Sequence, residues 1–324
     1  MKLATRSNGH PDGELLVVSH DLQRCVPARA ARTLQDALDR WSDVQSSLQE
    51  QYLSLNEGME RNGERIESGT LMAAMPRSYQ FLDASAFLAH NHILAQAWGF
   101  PRRSPIDPPL MYQGLSDRFF PAHGAVRFRS EADEIDFEAE FAVITDRVPL
   151  GTTKEQALAH IKLVVLLNDW SLRAFGPSEM KGGFGFLHAK PPSSISAFAV
   201  TPQSLGDGWH NARVCLSMNI TRNGAAFGHP HGREMTYGFD ELIAHAAATR
   251  DLCAGTVLGS GTVSSDDYQH VGSGCIAERR AIDQIEAKPL TPYLRYGDRV
   301  RIEATDASGR SAFGAIEQLI EAHR

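Results

Sequence analysis

The segment 134–145, EIDFEAEFAVIT, constrains the fold of this chain more than any other stretch. Apolar and polar residues alternate along most of it, and a period of two is typical of a β-strand, whose successive side chains point to opposite faces. One face carries the apolar side chains of Ile135, Phe137, Ala139, Phe141 and Val143, and the other carries the carboxylates of Asp136, Glu138 and Glu140. The segment therefore predicts a strand with one apolar and one acidic face.

The region after residue 71 consists mainly of short apolar runs separated by Gly, Pro and Asp turns. The run 162–168, KLVVLLN, predicts a buried strand that ends at Asp169. Segments 298–304 and 311–316 flank the turn Asp-Ala-Ser-Gly and predict a hairpin. Few long helical patterns occur here, so the region is predicted to be predominantly β.

The first 70 or so residues have a different pattern. Residues 15–18, LLVV, predict a strand. From Thr33, a predicted N-cap, apolar residues recur at spacings of three and four up to Leu55, which predicts one amphipathic helix. The polar stretch 57–70 predicts an exposed linker. Farther along the chain, Thr153 and Gln156 form the pattern of a capping box, which predicts a short helix.

Composition excludes several classes of protein. The 324 residues include 39 acidic and 32 basic side chains, a formal charge of −7, which argues against a general polyanion binder. No apolar run approaches the roughly 18 residues of a membrane span. The four cysteines are far apart and form no CxxC motif, so we expect free thiols rather than a disulfide or zinc framework. The N-terminus lacks the apolar stretch of a secretory signal, and a cytoplasmic location is expected.

Three acidic residues suggest a cation site. Glu138 and Glu140 lie on the same side of one predicted strand, with Cα atoms about 6.6–7 Å apart. The alternative is a solvent-facing acidic row, which is common on antiparallel sheets. Asp169, however, follows a strongly apolar strand, where an ionised carboxylate is costly unless it is paired or bound to metal. Oxygen ligands of this kind suit Mg²⁺, Ca²⁺ or Mn²⁺ better than zinc.

With these motifs the chain resembles the fumarylacetoacetate hydrolase family. The family signature Asp-x-Glu-x-Glu corresponds to residues 136–140, and its Asn-Asp-Trp-Ser motif to residues 168–171. Further elements follow in family order from about residue 73 to the C-terminus: GFGFLHAKPPSS with Lys190, Gly-Ser-Gly-Thr at 259–262, and GSGCIAE ending at Glu278.

The resemblance implies an α+β, predominantly β fold. A mixed, mostly antiparallel β-roll would form a catalytic domain over residues 73–324, preceded by a small α/β domain over residues 1–72. Longer members of the family carry such an N-terminal domain. Members are usually dimeric, so the resemblance also implies a homodimer.

The resemblance further implies a metal site and a catalytic dyad. Glu138, Glu140 and Asp169 would hold Mg²⁺, Ca²⁺ or Mn²⁺, and larger members add an upstream aspartate followed seven residues later by the catalytic histidine. Asp83 and His90 stand at that spacing. The resemblance also implies that Lys190 lies beside the metal and that Glu278 orients the histidine. Tyr112 and Thr262 would contact the substrate.

Each of these residues also has an ordinary structural explanation. Asp83 has the sequence context of a helix N-cap. His90 fits a hydrogen-bonded histidine within a helix, and His92 is a rival two residues away. Lys190 could be a surface cation, and Glu278 could form a surface ion pair with one of the following arginines. Tyr112 and Thr262 could be ordinary loop-packing residues.

The implied activity is metal-dependent hydrolysis of a carbon–carbon bond in a β-diketo acid of the fumarylacetoacetate or acylpyruvate type, in aromatic compound catabolism. One alternative is a metal-dependent 2-oxo acid decarboxylase, hydratase or tautomerase on the same scaffold, and another is a non-catalytic small-molecule binder. Neither a nucleic acid nor a membrane is an expected partner.

Three departures from the enzyme that gives the family its name leave the substrate open. Residues 174–177, Ala-Phe-Gly-Pro, replace polar residues that include a substrate-contact glutamine. Gly99 stands where a second substrate-binding arginine is expected. Ser85 replaces an aromatic residue two positions after Asp83.

Overall fold

The computed structural model describes residues 1–323 and belongs to the α+β class, as predicted. Its α-helices are α1 Leu34–Asp39, α2 Trp41–Asn56, α3 Leu88–Trp98, α4 Lys154–Ala157, α5 Gly176–Gly182, α6 Phe239–Ala246, α7 Tyr268–Val271 and α8 Ile276–Ile285.

Strands β1 to β10 are Lys2–Arg6, Glu14–Val18, Arg24–Pro27, Glu64–Arg65, Phe81–Ala84, Met111–Gly114, His123–Phe128, Ile135–Asp136, Ala139–Thr145 and Ile161–Asn168. Strands β11 to β20 are Ser171–Leu172, Ser194–Ile195, Phe198–Val200, Trp209–His210, Arg213–Val214, Ser217–Arg222, Ala225–Gly228, Val257–Gly259, Arg299–Thr305 and Ile316–Ala322.

Two sheets dominate the described residues. The larger has the order β4-β3-β2-β1-β13-β10-β9-β18-β5-β6, with β12 also paired to β10, and the smaller has the order β17-β16-β19-β20-β7. Most pairs are antiparallel, whereas β18 with β5 and β20 with β7 are parallel. The antiparallel pairing of β1 with β13 joins the N-terminal strands to the sheet that carries the candidate site.

The central strand β10 is buried on both faces. Val164 and Leu166 belong to one hydrophobic core, which also contains Trp170, whereas Val165 and Leu167 belong to a second core beneath α1 and α2. A strand covered on both sides has no solvated face, so it reads as a continuous apolar run rather than as an alternation. This explains KLVVLLN and confirms the predicted strand at 162–168.

The predicted strand at 134–145 is interrupted. It forms β8 and β9, with Phe137 and Glu138 between them. The backbone N–H groups of these two residues donate to side chains, Asp136 Oδ1 at 2.8 Å and Asn168 Oδ1 at 3.2 Å, so side chains replace ladder partners at the break. The alternative of a solvent-facing acidic row is wrong, because Asp136, Glu138 and Glu140 are all buried.

The N-terminal pattern is confirmed in part. Residues 15–18 lie in β2, and Thr33 caps α1 by accepting from the N–H of Asp36. The single predicted helix is divided, because Arg40 leaves the helical region at φ −127° and its guanidinium bonds Asp36 and the carbonyl of Ala30. The predicted linker at 57–70 contains the short strand β4, which pairs with β3.

The C-terminal hairpin differs in its second arm. The first arm, β19, is shifted by one residue toward the C-terminus relative to the predicted 298–304. The second arm, β20, begins only at Ile316. Ser311 contributes an isolated bridge to Thr305. Between Ser311 and Ile316, the side chain of Phe313 is fully buried in the core, and the chain does not continue the strand pairing there.

Other predictions hold for the described residues. The capping box of Thr153 and Gln156 is present at the start of α4. All four cysteines are free thiols. No helix within residues 1–323 is long and apolar enough to cross a membrane.

Candidate active site

Three strands bring four carboxyl groups to one end of the large sheet, and β18, which lies between two of these strands, contributes none. In the order β10-β9-β18-β5, Asp169 follows the end of β10, Glu140 lies near the start of β9, and Asp83 lies near the end of β5. Glu138 precedes β9. The N-cap alternative for Asp83 is wrong, because this residue pairs within a strand and the N-cap of α3 is Phe87.

Two glycines make room for this convergence. A Cβ at Gly259, opposite Asp83 in the β18–β5 register, would lie 2.3 Å from Asp83 Oδ1 and 2.9 Å from Glu140 Oε2. Gly261 has φ +77°, and a Cβ there would lie 2.3 Å from the carbonyl oxygen of Ala84. The Gly261 N–H donates to Glu140 Oε2 at 3.0 Å. The Gly-Ser-Gly-Thr motif thus lets the backbone approach the carboxylates closely.

The carboxyl groups have the composition of a hard-cation site. Asp83, Glu138, Glu140 and Asp169 are all buried, and one oxygen from each lies within 4.8 Å of the others. Asp83 Oδ1 and Glu140 Oε1 are buried without any hydrogen-bond partner. Buried acceptors normally have a hydrogen-bond partner, so these two unpartnered oxygens favour a bound cation. An all-oxygen set suits Mg²⁺, Ca²⁺ or Mn²⁺, and the residues present therefore fit the implied metal.

Two basic side chains pair with part of the cluster. Lys190 Nζ donates to Glu138 Oε2 at 2.8 Å and to Asp169 Oδ2 at 2.6 Å. Arg173 donates to Glu138 Oε1 at 2.6 Å. Asp169 also accepts from the Tyr112 hydroxyl at 2.6 Å and from Ser193. Lys190 is therefore a member of the cluster, with only 9% of its side chain exposed, rather than a surface cation.

The electrostatics divide the carboxyl groups into two types. Burial, reinforced by the charge of Asp169, raises the pKa of Asp83 to about 8. Burial and the charge of Asp83 raise the pKa of Glu140 well above its usual value. Burial also acts on Glu138, but the charges of Lys190 and Arg173 outweigh it and lower that pKa. Two carboxyl groups thus favour a proton when no metal is bound, and they are the two with unpartnered oxygens.

A histidine–glutamate pair lies beside the cluster. His90 is the third residue of α3, and its Nδ1 lies 2.6 Å from Oε2 of Glu278, which is fully buried in the first turn of α8. Glu278 is therefore not half of a surface ion pair. The rival His92 lies elsewhere, with its Nε2 3.1 Å from the carbonyl oxygen of Arg103.

These groups line one chamber of about 440 Å³. Its wall includes Asp83, His90, Tyr112, Glu138, Lys190 and Thr262. Thr262 is buried, and Tyr112 is half-buried. The structure thus brings every predicted site residue to one place, since Glu140, Asp169 and Glu278 do not line the chamber but each contacts a residue that does.

The sequence interpretation missed a role for Asp136. Its Oδ1 accepts from the N–H of Ile276 at 2.8 Å, and its Oδ2 accepts from the N–H of Ala277 at 2.9 Å and from Arg173 Nε at 2.9 Å. This carboxylate therefore caps α8, which carries Glu278, and holds Arg173 against Glu138. The only signal in the sequence was its place at the head of the Asp-x-Glu-x-Glu motif.

The chain belongs to the fumarylacetoacetate hydrolase family. The family model described as fumarylacetoacetate (FAA) hydrolase C-terminal matches residues 81–320, and that described as fumarylacetoacetase N-terminal domain 2 matches residues 1–77. The resemblance drawn from the motifs is thereby confirmed. A search of curated proteins finds no match.

Solved structures share the fold over the full length of both chains. A probable 2-hydroxyhepta-2,4-diene-1,7-dioate isomerase from Mycobacterium abscessus is similar at 18% identity with a TM-score of 0.66. Maleylpyruvate hydrolase from Sphingobium sp. SYK-6, in complex with manganese(II) and pyruvate, is similar at 15% identity with a TM-score of 0.65. A 5-carboxymethyl-2-hydroxymuconate delta-isomerase from Mycobacterium smegmatis is similar at 14% identity with a TM-score of 0.63.

Metal binding should depend on pH. Because the pKa of Asp83 is raised to about 8, this carboxyl group is neutral below that pH and must lose its proton to bind Mg²⁺. The apparent Kd for Mg²⁺ should therefore fall about ten-fold per pH unit, for each proton released, between pH 6 and 8, and then level off. Isothermal titration calorimetry across this range measures it. Asp83→Asn should weaken binding and flatten the slope, whereas a pH-independent Kd in the unmodified protein would contradict the assignment.

Removal of the Asp136 carboxylate should destabilise the fold. Asp136→Ala leaves Nε of Arg173 and the first N–H groups of α8 without their acceptor, and breaking one partner of a buried ion pair costs about 3–5 kcal/mol. Urea denaturation measures the free energy of unfolding. The exposed Asp117 offers a control, since Asp117→Ala should change stability by less than about 0.5 kcal/mol. Equal losses in the two variants would remove the proposed role of Asp136.

Proposed function

We propose that this protein is a divalent-metal-dependent hydrolase that cleaves a carbon–carbon bond in a β-diketo acid of the fumarylacetoacetate or acylpyruvate type. The observation that carries the proposal is the 2.6 Å contact between His90 Nδ1 and Glu278 at the wall of the same chamber as the carboxylate cluster. A buried carboxylate that orients a histidine is the arrangement of a general base.

The metal ligands of the proposal are the four clustered carboxylates: Asp83, Glu138, Glu140 and Asp169. A divalent cation bound there would polarise the substrate carbonyl and stabilise negative charge on the leaving enolate. The acidic set supports Mg²⁺, Ca²⁺ or Mn²⁺, and the manganese in the maleylpyruvate hydrolase structure is a precedent within the fold.

The dyad activates the attacking water by taking a proton from it. With Nδ1 bound to Glu278, the Nε2 of His90 is the ring nitrogen available to accept a proton. The buried Glu278 carboxylate stabilises the imidazolium that forms. The resulting hydroxide attacks the carbonyl carbon, and the tetrahedral adduct collapses as the carbon–carbon bond breaks.

Other chamber groups stabilise and orient charge. The Lys190 ammonium lies beside Glu138 and Asp169, whose charges overcome burial and raise the pKa of the lysine, so it stays protonated. It therefore provides fixed positive charge next to the developing enolate. Tyr112 and Thr262 line the chamber as proposed substrate contacts.

The main alternative uses the same cluster for decarboxylation, hydration or tautomerisation of a 2-oxo acid. Isomerases occur among the structures that share this fold. Such reactions need enolate stabilisation but not necessarily a water-activating dyad, and the His90–Glu278 pair therefore favours hydrolysis. A role in aromatic compound catabolism and a homodimeric assembly complete the proposal, on the grounds of family membership.

The dyad can be tested by His90→Ala. The Mg²⁺-supplemented variant should lose about 10²–10⁴-fold in the hydrolysis of fumarylacetoacetate and acylpyruvates, since a general base contributes that much. His92→Ala, in the same helix but bound to the carbonyl of Arg103, should retain most activity. Mass spectrometry identifies the products, and calorimetry should show that His90→Ala still binds Mg²⁺.

Two outcomes would contradict the proposed mechanism. Undiminished hydrolysis by His90→Ala would exclude His90 as the base. Decarboxylated or isomerised products from the unmodified protein, without any cleaved acid, would favour the alternative reaction.

A further inference from the structure

A second cavity adjoins the catalytic chamber. It has a volume of about 580 Å³ and shares a wall with the chamber, formed by residues that include His90, Leu94, Arg173, Met180, Phe186 and Lys190. We call this second cavity the annex. None of the four clustered carboxylates lines the annex, which lies between α3 and the segment that contains α5.

The annex presents apolar side chains to open space. Its lining includes Trp98 and Phe100 on one side and Met180 on the other. These three side chains are exposed by 39%, 42% and 58%, respectively. Large apolar side chains gathered around one opening are unusual on a protein surface and typically mark a binding site.

Ionic groups in the annex are mostly engaged elsewhere. Arg173 faces Asp136 and Glu138, and Lys190 faces Glu138 and Asp169. Glu134 adds an acidic side chain to the wall. Lys181 is the lining cation without an ion pair among residues 1–323, but it is exposed, and exposed cations contribute little to binding a carboxylate.

The position of His90 fixes which part of a substrate would enter the annex. His90 lies on the shared wall, so the carbonyl carbon attacked by its water lies between the two cavities. In an acylpyruvate that carbon bears the acyl substituent on one side and the pyruvyl group on the other. With the pyruvyl group at the carboxylate cluster, the acyl substituent extends into the annex.

We propose that the annex binds a bulky apolar acyl substituent, so that the substrates are aryl or long-chain acylpyruvates rather than diketo acids with a second carboxylate at that end. The inference rests on the proposed function and deepens it. In the reaction, R–CO–CH₂–CO–COO⁻ and water give R–COO⁻, pyruvate and a proton. Water supplies the hydroxyl group to the acyl carbon and a proton to the methyl group of pyruvate.

Hydrolysis rates provide the first test. With Mg²⁺, kcat/KM for benzoylpyruvate should exceed that for acetylpyruvate and for fumarylpyruvate by about ten-fold or more, because burial of an aryl group contributes roughly that factor. Met180→Glu places a carboxylate in the wall that the annex shares with the chamber and should remove most of this preference. Met59→Glu is a matched control, since Met59 is 62% exposed and lies outside the cavity, and the preference should persist.

Binding separates failure of this inference from failure of the proposed function. The compound 2-oxo-4-phenylbutanoate has the 2-oxo acid and the aryl tail but no second carbonyl, so it cannot be cleaved. Calorimetry with Mg²⁺ should show it binding about ten-fold more tightly than 2-oxobutanoate, with the advantage lost in Met180→Glu and retained in Met59→Glu. This result, if no diketo acid were hydrolysed, would support the annex and overturn the hydrolase.

The inference itself would be overturned by either of two results. One is equal or tighter binding of 2-oxoadipate, whose tail ends in a carboxylate. The other is an aryl preference that Met180→Glu leaves unchanged.

Discussion

Four carboxyl groups buried within reach of one another create the constraint on which the rest of the site depends. Like charges at this distance repel strongly in a medium of low polarity, so the cluster needs protons, basic side chains or a metal ion. Lys190 and Arg173 compensate Glu138 and Asp169, but Asp83 and Glu140 retain unpartnered oxygens. Arg173 also pairs with Asp136, so these two positive charges do not balance the buried carboxylates, and a divalent cation is the natural source of the remainder.

The sheet provides the rigid frame for this cluster. Adjacent strands β10, β9, β18 and β5 supply ligands or space for ligands at one end, and two hydrophobic cores cover their faces. The dyad arrives on two helices, α3 and α8, that pack against each other. Asp136 connects these parts, because one buried carboxylate caps α8 and holds the arginine that contacts Glu138. A change at this residue should therefore affect both the cluster and the dyad.

The sequence predicted which carboxylates cluster better than it predicted the local backbone geometry. Residues such as Glu140 and Asp169 belong to motifs whose residue types and order define the family, so they were found without any structure. The break at Phe137 and Glu138 was not predicted, because it depends on a hydrogen bond that the Glu138 N–H donates to Oδ1 of Asn168, which lies on a neighbouring strand. Likewise, the late start of β20 depends on the tertiary burial of Phe313, which local periodicity does not encode.

One divalent cation should bind between the four carboxylates. The most direct test is a crystal structure of the full chain grown with Mn²⁺ and measured near the manganese absorption edge. We predict one strong anomalous peak from a Mn²⁺ ion coordinated by Asp83, Glu138, Glu140 and Asp169. The metal–oxygen distances should be about 2.0–2.6 Å, as is typical of hard cations. Well-ordered carboxylates with no anomalous peak between them, or a manganese peak only elsewhere, would contradict this metal site.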